Sequence, residues 1–404
     1  MSNYTFIDLF AGCGGLSEGF YKQGFKSLTH VEFDSHACKT LKTRMLHYGY
    51  SDEEASVLEK DITNDNIIEQ IQAEIKAKKV DIVIGGPPCQ SFSTLGRAKD
   101  DKGMADDPRN YLFESYVKIL NHFEPKVFVF ENVTGLLSAK LKGKPIIDKI
   151  LKELGKKYNL IKDSENMVLN SCDYGVPQIR KRVILIGTRK DLSIKPSEIY
   201  DGIIKTHYGP ENKMNSKNNL KKYVTVKDAI SDLPFIKPGE GNIIVKHKVK
   251  EQNEYLQKIR NENDTMIRDH VSRTHNELDR LRYKTMSKNK WTFTELLEKK
   301  PDLNHIKQRV FNNSYTVQWW DQPSKTIIAH LYKDGNQFIH PDYKQERTIT
   351  PREAARLQSF PDDFVFEGSR TQQYKQIGNA VPPLMAEAIA KSIKNTLEKV
   401  ENVQ

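Results

Sequence analysis

Short apolar runs recur through the first half of the chain, at residues 4–9, 27–31, 80–84, 126–130 and 183–186, and helix-length amphipathic stretches separate them. That rhythm predicts βαβ units, giving an α/β domain with a doubly wound, mainly parallel sheet and helices on both faces. Residues 65–79 carry the helical period, with Ile67, Ile68, Ile71 and Ile75 on one face and lysines at the end. From about 190 to 303 the texture changes: Lys, Asn, Asp and Glu dominate, apolar periodicity fades, and Gly209-Pro210 and Pro238-Gly239 punctuate the chain. This predicts a smaller, irregular second domain. Further on, Thr350-Pro351-Arg352-Glu353 reads as a helix start, with Thr350 as N-cap and Glu353 closing a capping box. A last helix over about 384–400 follows Pro382-Pro383.

Length adds to this picture, since 404 residues exceed the usual single domain and suggest two. No apolar run is long enough for a bilayer, and the N-terminus lacks a basic segment followed by an apolar one, so a soluble, cytoplasmic protein is expected. Cys13, Cys38, Cys89 and Cys172 are widely and irregularly spaced. Without CxxC pairs they argue against a zinc site or a disulfide framework, and a reducing compartment would leave Cys89 a free thiol. The 63 basic and 53 acidic side chains leave a net charge of +10, which suits a polyanion such as nucleic acid. Lys246, Lys248, Lys250, Arg268, Arg273, Arg280, Arg282, Lys284, Lys288 and Lys290 are candidates for a phosphate-facing surface. Interspersed acids make a solvated polar face an equal reading of any one of them.

Candidate chemistry sits at the ends of the apolar runs. In Gly85-Gly86-Pro87-Pro88-Cys89-Gln90 two glycines permit a tight exit from a strand and two prolines stiffen the backbone just before the cysteine, so the thiol is displayed by the main chain. A buried cysteine in a turn is the plainer alternative. The first run ends in Phe10-Ala11-Gly12-Cys13-Gly14-Gly15, a glycine loop of the kind that lets backbone approach a nucleotide-like ligand, with Glu32 placed to hold ribose hydroxyls. The Gly-x-Gly-Gly spacing favours an adenosyl cofactor without phosphate over a dinucleotide; a simple tight turn remains open. Asp61 is placed for an adenine amino group, or for a helix cap. Glu131 leaves a buried apolar strand where a carboxylate can carry a proton. Arg180 and Arg182 precede another strand, and alternation aims both at one side, toward an electron-rich oxygen or a phosphate. An edge carboxylate and two solvated arginines are the alternatives.

Taken in order, FIDLFAGCGGLSEGF at 6–20, VEFD at 31–34, KDI at 60–62, GGPPCQSFS at 85–93, ENV at 131–133, QIRKR at 178–182, RTITPREAARLQSFPDDF at 347–364 and QIGNAVPP at 376–383 resemble the signature of the DNA (cytosine-5) methyltransferase family. The resemblance covers about 4–190 and 315–395. It implies the S-adenosylmethionine-dependent methyltransferase fold, with a catalytic and cofactor-binding domain at 1–190 plus 365–404 and a target-recognition domain at 191–364. It also implies that Cys89 attacks cytosine C6, Glu131 bonds N3, and Arg182 donates to O2 with Arg180 in support. For the cofactor it implies Phe10, Gly12, Cys13 and Gly15 around the methionine portion and Glu32 at the ribose. Phe33, Ile62 and Asp61 would hold the adenine, with Pro87, Leu112, Asn379 and Val381 closing the pocket. A loop at 91–109 would close over the substrate. Expected partners are double-stranded DNA and a restriction endonuclease acting on the same site; the protein is expected to be a bacterial or phage monomer that needs no metal. A transfer-RNA methyltransferase is the alternative within the chemistry, disfavoured by the long middle region and the missing Cys-Phe-Thr tripeptide. A DNA-binding regulator without turnover, or a nicotinamide oxidoreductase, would belong to other classes.

Overall fold

Strand β1 (Thr5–Leu9) is buried on both faces, as an apolar run inside a doubly wound sheet requires. A computed structural model describes residues 4–88, 111–141, 143–161, 163–211, 219–247, 253–261, 264–304 and 314–402. Cys89, the 91–109 loop, Lys248 and Lys250 therefore lie outside the described residues. Around β1 runs an eight-stranded sheet. Its other strands are β2 (Lys26–Glu32), β3 (Val57–Glu59), β4 (Ile82–Gly85), β5 (Val127–Val133), β6 (Tyr158–Leu160), β7 (Val168–Asn170) and β8 (Lys181–Arg189). Their order is β3-β2-β1-β4-β5-β8-β6, with β7 also paired to β8. Strands β1 to β5 are parallel, whereas β8 runs antiparallel to β5, β6 and β7. The chain moves outward from β1 through β2 to β3 and returns to the other side of β1 at β4, so the strand order reverses between β1 and β4. Ligands of open α/β sheets bind in the crevice that such a reversal opens at the carboxyl ends of the strands.

Helices α1 (Gly15–Lys22), α2 (Ser35–His47), α3 (Ile67–Ile75), α4 (Leu112–Phe123) and α5 (Ile146–Leu154) accompany these strands. Ile67, Ile68, Ile71 and Ile75 are all buried, as their spacing predicts. The helix stops at Ile75, short of residue 79, because Lys76 and Ala77 turn left-handed, at φ 50° and 59°. One core joins α3, α4 and α5 to Ile7 and Leu9 of β1 and to Phe128 and Phe130 of β5. The C-terminal helix Pro383–Glu401 packs on α1 so closely that a Cβ on Gly19 would run into the backbone of Ala386 and Glu387. The chain end thus returns to the first strand–helix unit.

The chain forms two compact units: Met1–Asn170, Lys181–Lys205 and Pro383–Gln404 make up the first, and Ser171–Arg180 with Thr206–Pro382 the second. These limits differ from the expected 1–190 plus 365–404 and 191–364. Residues 196–202 form a helix held in the first unit, where Ser392 Oγ donates to the Ile199 carbonyl at 2.5 Å. Residues 365–382 instead belong to the second, since Gln358 Nε2 donates to the carbonyls of Ile377 and Ala380 at 3.0 and 2.7 Å. In that unit the helix Pro351–Leu357 starts with the predicted Thr350–Glu353 capping box. Its charges are buried in pairs: Arg347 bonds both Glu353 oxygens at 2.7 Å, and Arg356 bonds Asp362 at 2.8 and 2.7 Å. Buried guanidiniums with fork-to-fork partners specify one arrangement, because losing either partner strands a charge.

The Gly19 contact yields a test of the α1 packing. Gly19→Ala puts a methyl into backbone and should cost about 1–3 kcal/mol, read as a lower urea midpoint.

Candidate active site

The carboxyl ends of β1 to β5 carry the residues that sequence reading singled out in this half. After β1 the chain makes a loop in which Phe10, Gly12 and Gly14 all have positive φ, at 57°, 55° and 87°. For Phe10 that conformation is unusual, and such backbone is retained where the surroundings enforce it. Here the enforcement comes from Glu32 at the end of β2: its Oε2 accepts from the Gly12 N–H at 2.8 Å, and Oε1 from those of Phe33 and Asp34, both at 2.9 Å. Burial pushes the Glu32 carboxyl upward, and these three N–H donors oppose the shift. The next residue, Phe33, is 74% exposed, an uncommon position for a large aromatic ring. Gly15 is buried as the first residue of α1, and Ile62 is buried in the core. Asp61 is exposed and accepts from the backbone N–H and hydroxyl of Thr63 at 2.9 and 2.8 Å. Leu112 opens α4, half-buried against the core.

Glu131 and Arg182 meet because of strand register. In the antiparallel β5–β8 pair Glu131 faces Ile184 and Arg182 faces Val133, so the two charged side chains are diagonal neighbours on one face. Arg182 Nε stands 2.9 Å from Glu131 Oε1, with only 12% and 13% of the two side chains exposed. Burial lowers the Arg182 pKa, and the Glu131 carboxylate pulls it back. The turn after β4 closes on the same carboxylate: a Cβ on Gly86 would lie 2.6 Å from Glu131 Oε2. Next to Glu131, the buried Asn132 donates from Nδ2 to the Pro87 carbonyl at 3.0 Å and accepts the Val133 N–H at 2.9 Å. Asn132 thus clamps the buried Pro87 two residues before Cys89. Asn132 was not among the expected site residues, although it is the middle residue of the ENV stretch at 131–133.

Arg180 has other work. Its guanidinium is buried in the second unit and donates to the carbonyls of Ile327 at 2.7 Å and Gly378 at 3.1 Å. Strand β8 starts one residue later, so the alternation expected to aim Arg180 and Arg182 alike does not extend to Arg180. Asn379 and Val381 also belong to the second unit, Asn379 exposed at the end of the helix Arg370–Asn379 and Val381 buried. Among the described residues, Cys13, Cys38 and Cys172 are buried thiols outside any disulfide. Burial pushes all three thiols up, Cys38 and Cys172 to about 12, so none forms a thiolate at neutral pH.

The basic residues expected to face phosphate sort differently. Arg273 and Arg282 are interior: Arg273 donates to the carbonyls of Leu331 and Lys333, and Arg282 to that of Leu303. Arg280 and Lys284 share Glu346, at 2.8 and 2.9 Å. Lys246 and Arg268 are exposed.

This arrangement of a reversed parallel sheet, a glycine loop and a carboxylate–guanidinium pair beside a Pro-Pro turn defines a class, and comparison with known proteins identifies it. The model of the C-5 cytosine-specific DNA methylase family matches residues 4–395, and the chain belongs to that family, whose members are DNA (cytosine-5) methyltransferases. It is 36% identical to the type II methyltransferase M.DdeI of Desulfomicrobium norvegicum, over 98% of this chain and 89% of that protein. A type II methyltransferase of Bacillus paralicheniformis is 34% identical over 97% of this chain and 98% of its own length. Among solved structures, a protein assigned as a DNA modification methyltransferase encoded within an Escherichia coli prophage superposes with a TM-score of 0.70 at 27% identity, covering 98% of this chain and 99% of that one. Among the described residues, no helix is long and apolar enough to cross a membrane.

Gly86→Ala tests the closeness of the turn to the carboxylate. Its methyl would displace Glu131 from Arg182, so methyl transfer should fall on the order of a hundredfold, in a radiolabelled-methyl assay, with the thermal midpoint little changed.

Proposed function

We propose that the protein transfers a methyl group from S-adenosylmethionine to C5 of a cytosine flipped out of a specific double-stranded DNA sequence, through a covalent bond between Cys89 and C6. The Glu131–Arg182 pair beside the Gly86-Pro87 turn carries this reading, because it sets a carboxylate and a guanidinium on the strands next to the backbone that leads to Cys89.

The residues present fit the cofactor. The Cβ position of Gly12 has nothing within 4 Å, so the loop leaves open space, and Phe33 offers an exposed ring for an adenine. Glu32 and Asp61 supply carboxylates for ribose and adenine donors, and residues 10–15 hold no Lys or Arg for a phosphate. These features suit an adenosyl sulfonium, with Phe10, Gly12, Cys13, Gly15, Ile62, Pro87 and Leu112 as further contacts. When bound, S-adenosylmethionine supplies the electrophilic methyl that an activated C5 takes up.

Cytosine C5 is too weak a nucleophile unaided, and the chain's residues supply the activation. The Cys89 thiolate adds to C6, and Glu131 protonates N3 as the ring's electrons move toward C5. Arg182 donates to O2 and holds Glu131 in place. Once C5 carries the methyl, its proton passes to a water base, Cys89 leaves as thiolate by β-elimination, and N3 returns its proton to Glu131, restoring the aromatic ring. The other three cysteines are buried with raised pKa values, which supports Cys89 as the nucleophile. Flipping the base out costs a few kcal/mol, offset by contacts to protein. The first compact unit would hold catalysis and cofactor and the second would read the target. A type II modification enzyme of this kind works beside an endonuclease that cuts the same unmethylated site, in the cytoplasm, and a monomer suffices for the chemistry.

Cys89→Ala should abolish methyl transfer while duplex binding, measured by fluorescence anisotropy, persists; full activity in this variant would refute the mechanism. A duplex with 5-fluorocytosine at the target should leave a denaturation-resistant protein–DNA adduct on a gel, since fluorine does not leave as a proton does. Glu131→Gln keeps the shape and loses the acid, so single-turnover rates should drop about 10²–10³-fold.

A further inference from the structure

In the second unit the strand Gly241–Lys246 pairs antiparallel with Met266–Val271, in the register Asn242↔His270, Ile244↔Arg268 and Lys246↔Met266. Alternation places Asn242, Ile244, Lys246, Met266, Arg268 and His270 on one face, and all but His270, at its edge, are exposed. The exposed part of that face carries an amide, two apolar side chains, two cations and no carboxylate. The rest of Met266–Val271 is anchored, with Asp269 left-handed at φ 62° just before the inward-turned His270. Ile267 is fully buried, and Asp269 accepts from Gln373 Nε2 at 2.9 Å. Arg352 Nε donates to the Arg268 carbonyl at 2.8 Å, and the His270 ring bonds Thr350 Oγ1 at 3.1 Å and the Pro234 carbonyl at 2.9 Å. The ladder continues at both ends, through His247 N–H to Thr265 O at 2.8 Å and Ser272 N–H to Glu240 O at 2.9 Å.

A rigidly mounted two-stranded ribbon that shows isoleucine and methionine to water is a pairing hazard unless something covers it. Its charge selects the occupant. Lys246 and Arg268 interleave with the apolar residues, which suits a polyanion better than a second apolar surface, and the net charge of +10 agrees. The major groove of a DNA duplex admits a two-stranded ribbon, and its base edges match this set of side chains. Guanine O6 and N7 suit an arginine fork, adenine N6 and N7 suit an asparagine amide, and thymine methyls suit Ile and Met.

Building on the reading of the protein as a DNA methyltransferase, we propose that the exposed face of the ribbon Gly241–Lys246/Met266–Val271 enters the major groove and reads bases of the target sequence, with Arg268 and Asn242 as hydrogen-bonding readers and Ile244 and Met266 as apolar ones. Lys246 serves phosphate attraction.

The test uses the full-length protein on a duplex library with randomised bases around a central cytosine, read by bisulfite sequencing. Wild type should yield one preferred sequence. Arg268→Ala should relax the preference at one position by about tenfold or more. Arg268→Lys, which keeps the charge and loses the fork, should relax the same position, so the conclusion survives if the alanine variant folds poorly. Ile244→Ala and Met266→Ala should weaken preference at thymine positions. Lys246→Ala should keep the preferred sequence and reduce the salt dependence of binding by about one counterion. An active wild type whose preferred sequence is unchanged in the Arg268, Ile244 and Met266 variants overturns the ribbon assignment alone, including the case where those variants only alter self-association. A wild type that leaves every library member unmethylated overturns the functional reading, and this assignment with it.

Discussion

Strand β5 is paired on one side with parallel β4 and on the other with antiparallel β8, and the register of those two pairings sets the site. Parallel pairing brings the carboxyl ends of β4 and β5 to the same edge, so the Gly86-Pro87 turn and Glu131 emerge together. Antiparallel pairing brings the amino end of β8 to that edge, and with it Arg182. A shift of one residue in β8 would carry Arg182 to the opposite face and leave Glu131 buried without its cation. The apolar residues of β5, Phe128 and Phe130, hold the register by packing into the main core. The geometry of the charged pair and the packing of the core are therefore one constraint here.

The same economy governs the backbone around the pair. Gly86 lets the turn approach a carboxylate oxygen that any larger residue would push away, and Asn132 ties the turn to the strand that carries the carboxylate. A buried amide with both ends satisfied is well suited to this, since each bond it makes would leave an unpaired group if broken. At the other end of the crevice Glu32 plays a comparable part, accepting N–H bonds from the glycine loop and from its own strand end.

The second unit spends its charge inside. Arg180, Arg282, Arg347, Arg352 and Arg356 are among the largest fully buried side chains, each bonded to carbonyls or carboxylates. A segment rich in Arg and Lys reads, by composition, as a surface for phosphate. Arg273 and Arg282 of that segment instead go inside, Arg282 beside the apolar side chains Tyr283, Met286, Phe293 and Leu296. What remains exposed on the ribbon is correspondingly sparse.

How much was legible differs by residue. Strand positions in the first half, the isoleucine face of α3, the Thr350–Glu353 cap and the returning C-terminal helix all follow from periodicity and capping chemistry, which act over a few residues and are written locally. Ordered motifs also placed the chain in its family. Arg180 shows the limit: two residues from Arg182 and identical in chemistry, it is turned to other carbonyls because β8 begins only after it, a boundary set by pairing with strands far away in sequence. Asn132 shows the converse, a plain polar residue whose importance depends on Pro87, 45 positions earlier. The sequence by itself determined the kind of sheet and the family, since these depend on local pattern and side-chain chemistry. Only the tertiary structure decided which charges face each other, which are consumed in the interior and where the units divide, because register and burial depend on contacts between distant segments.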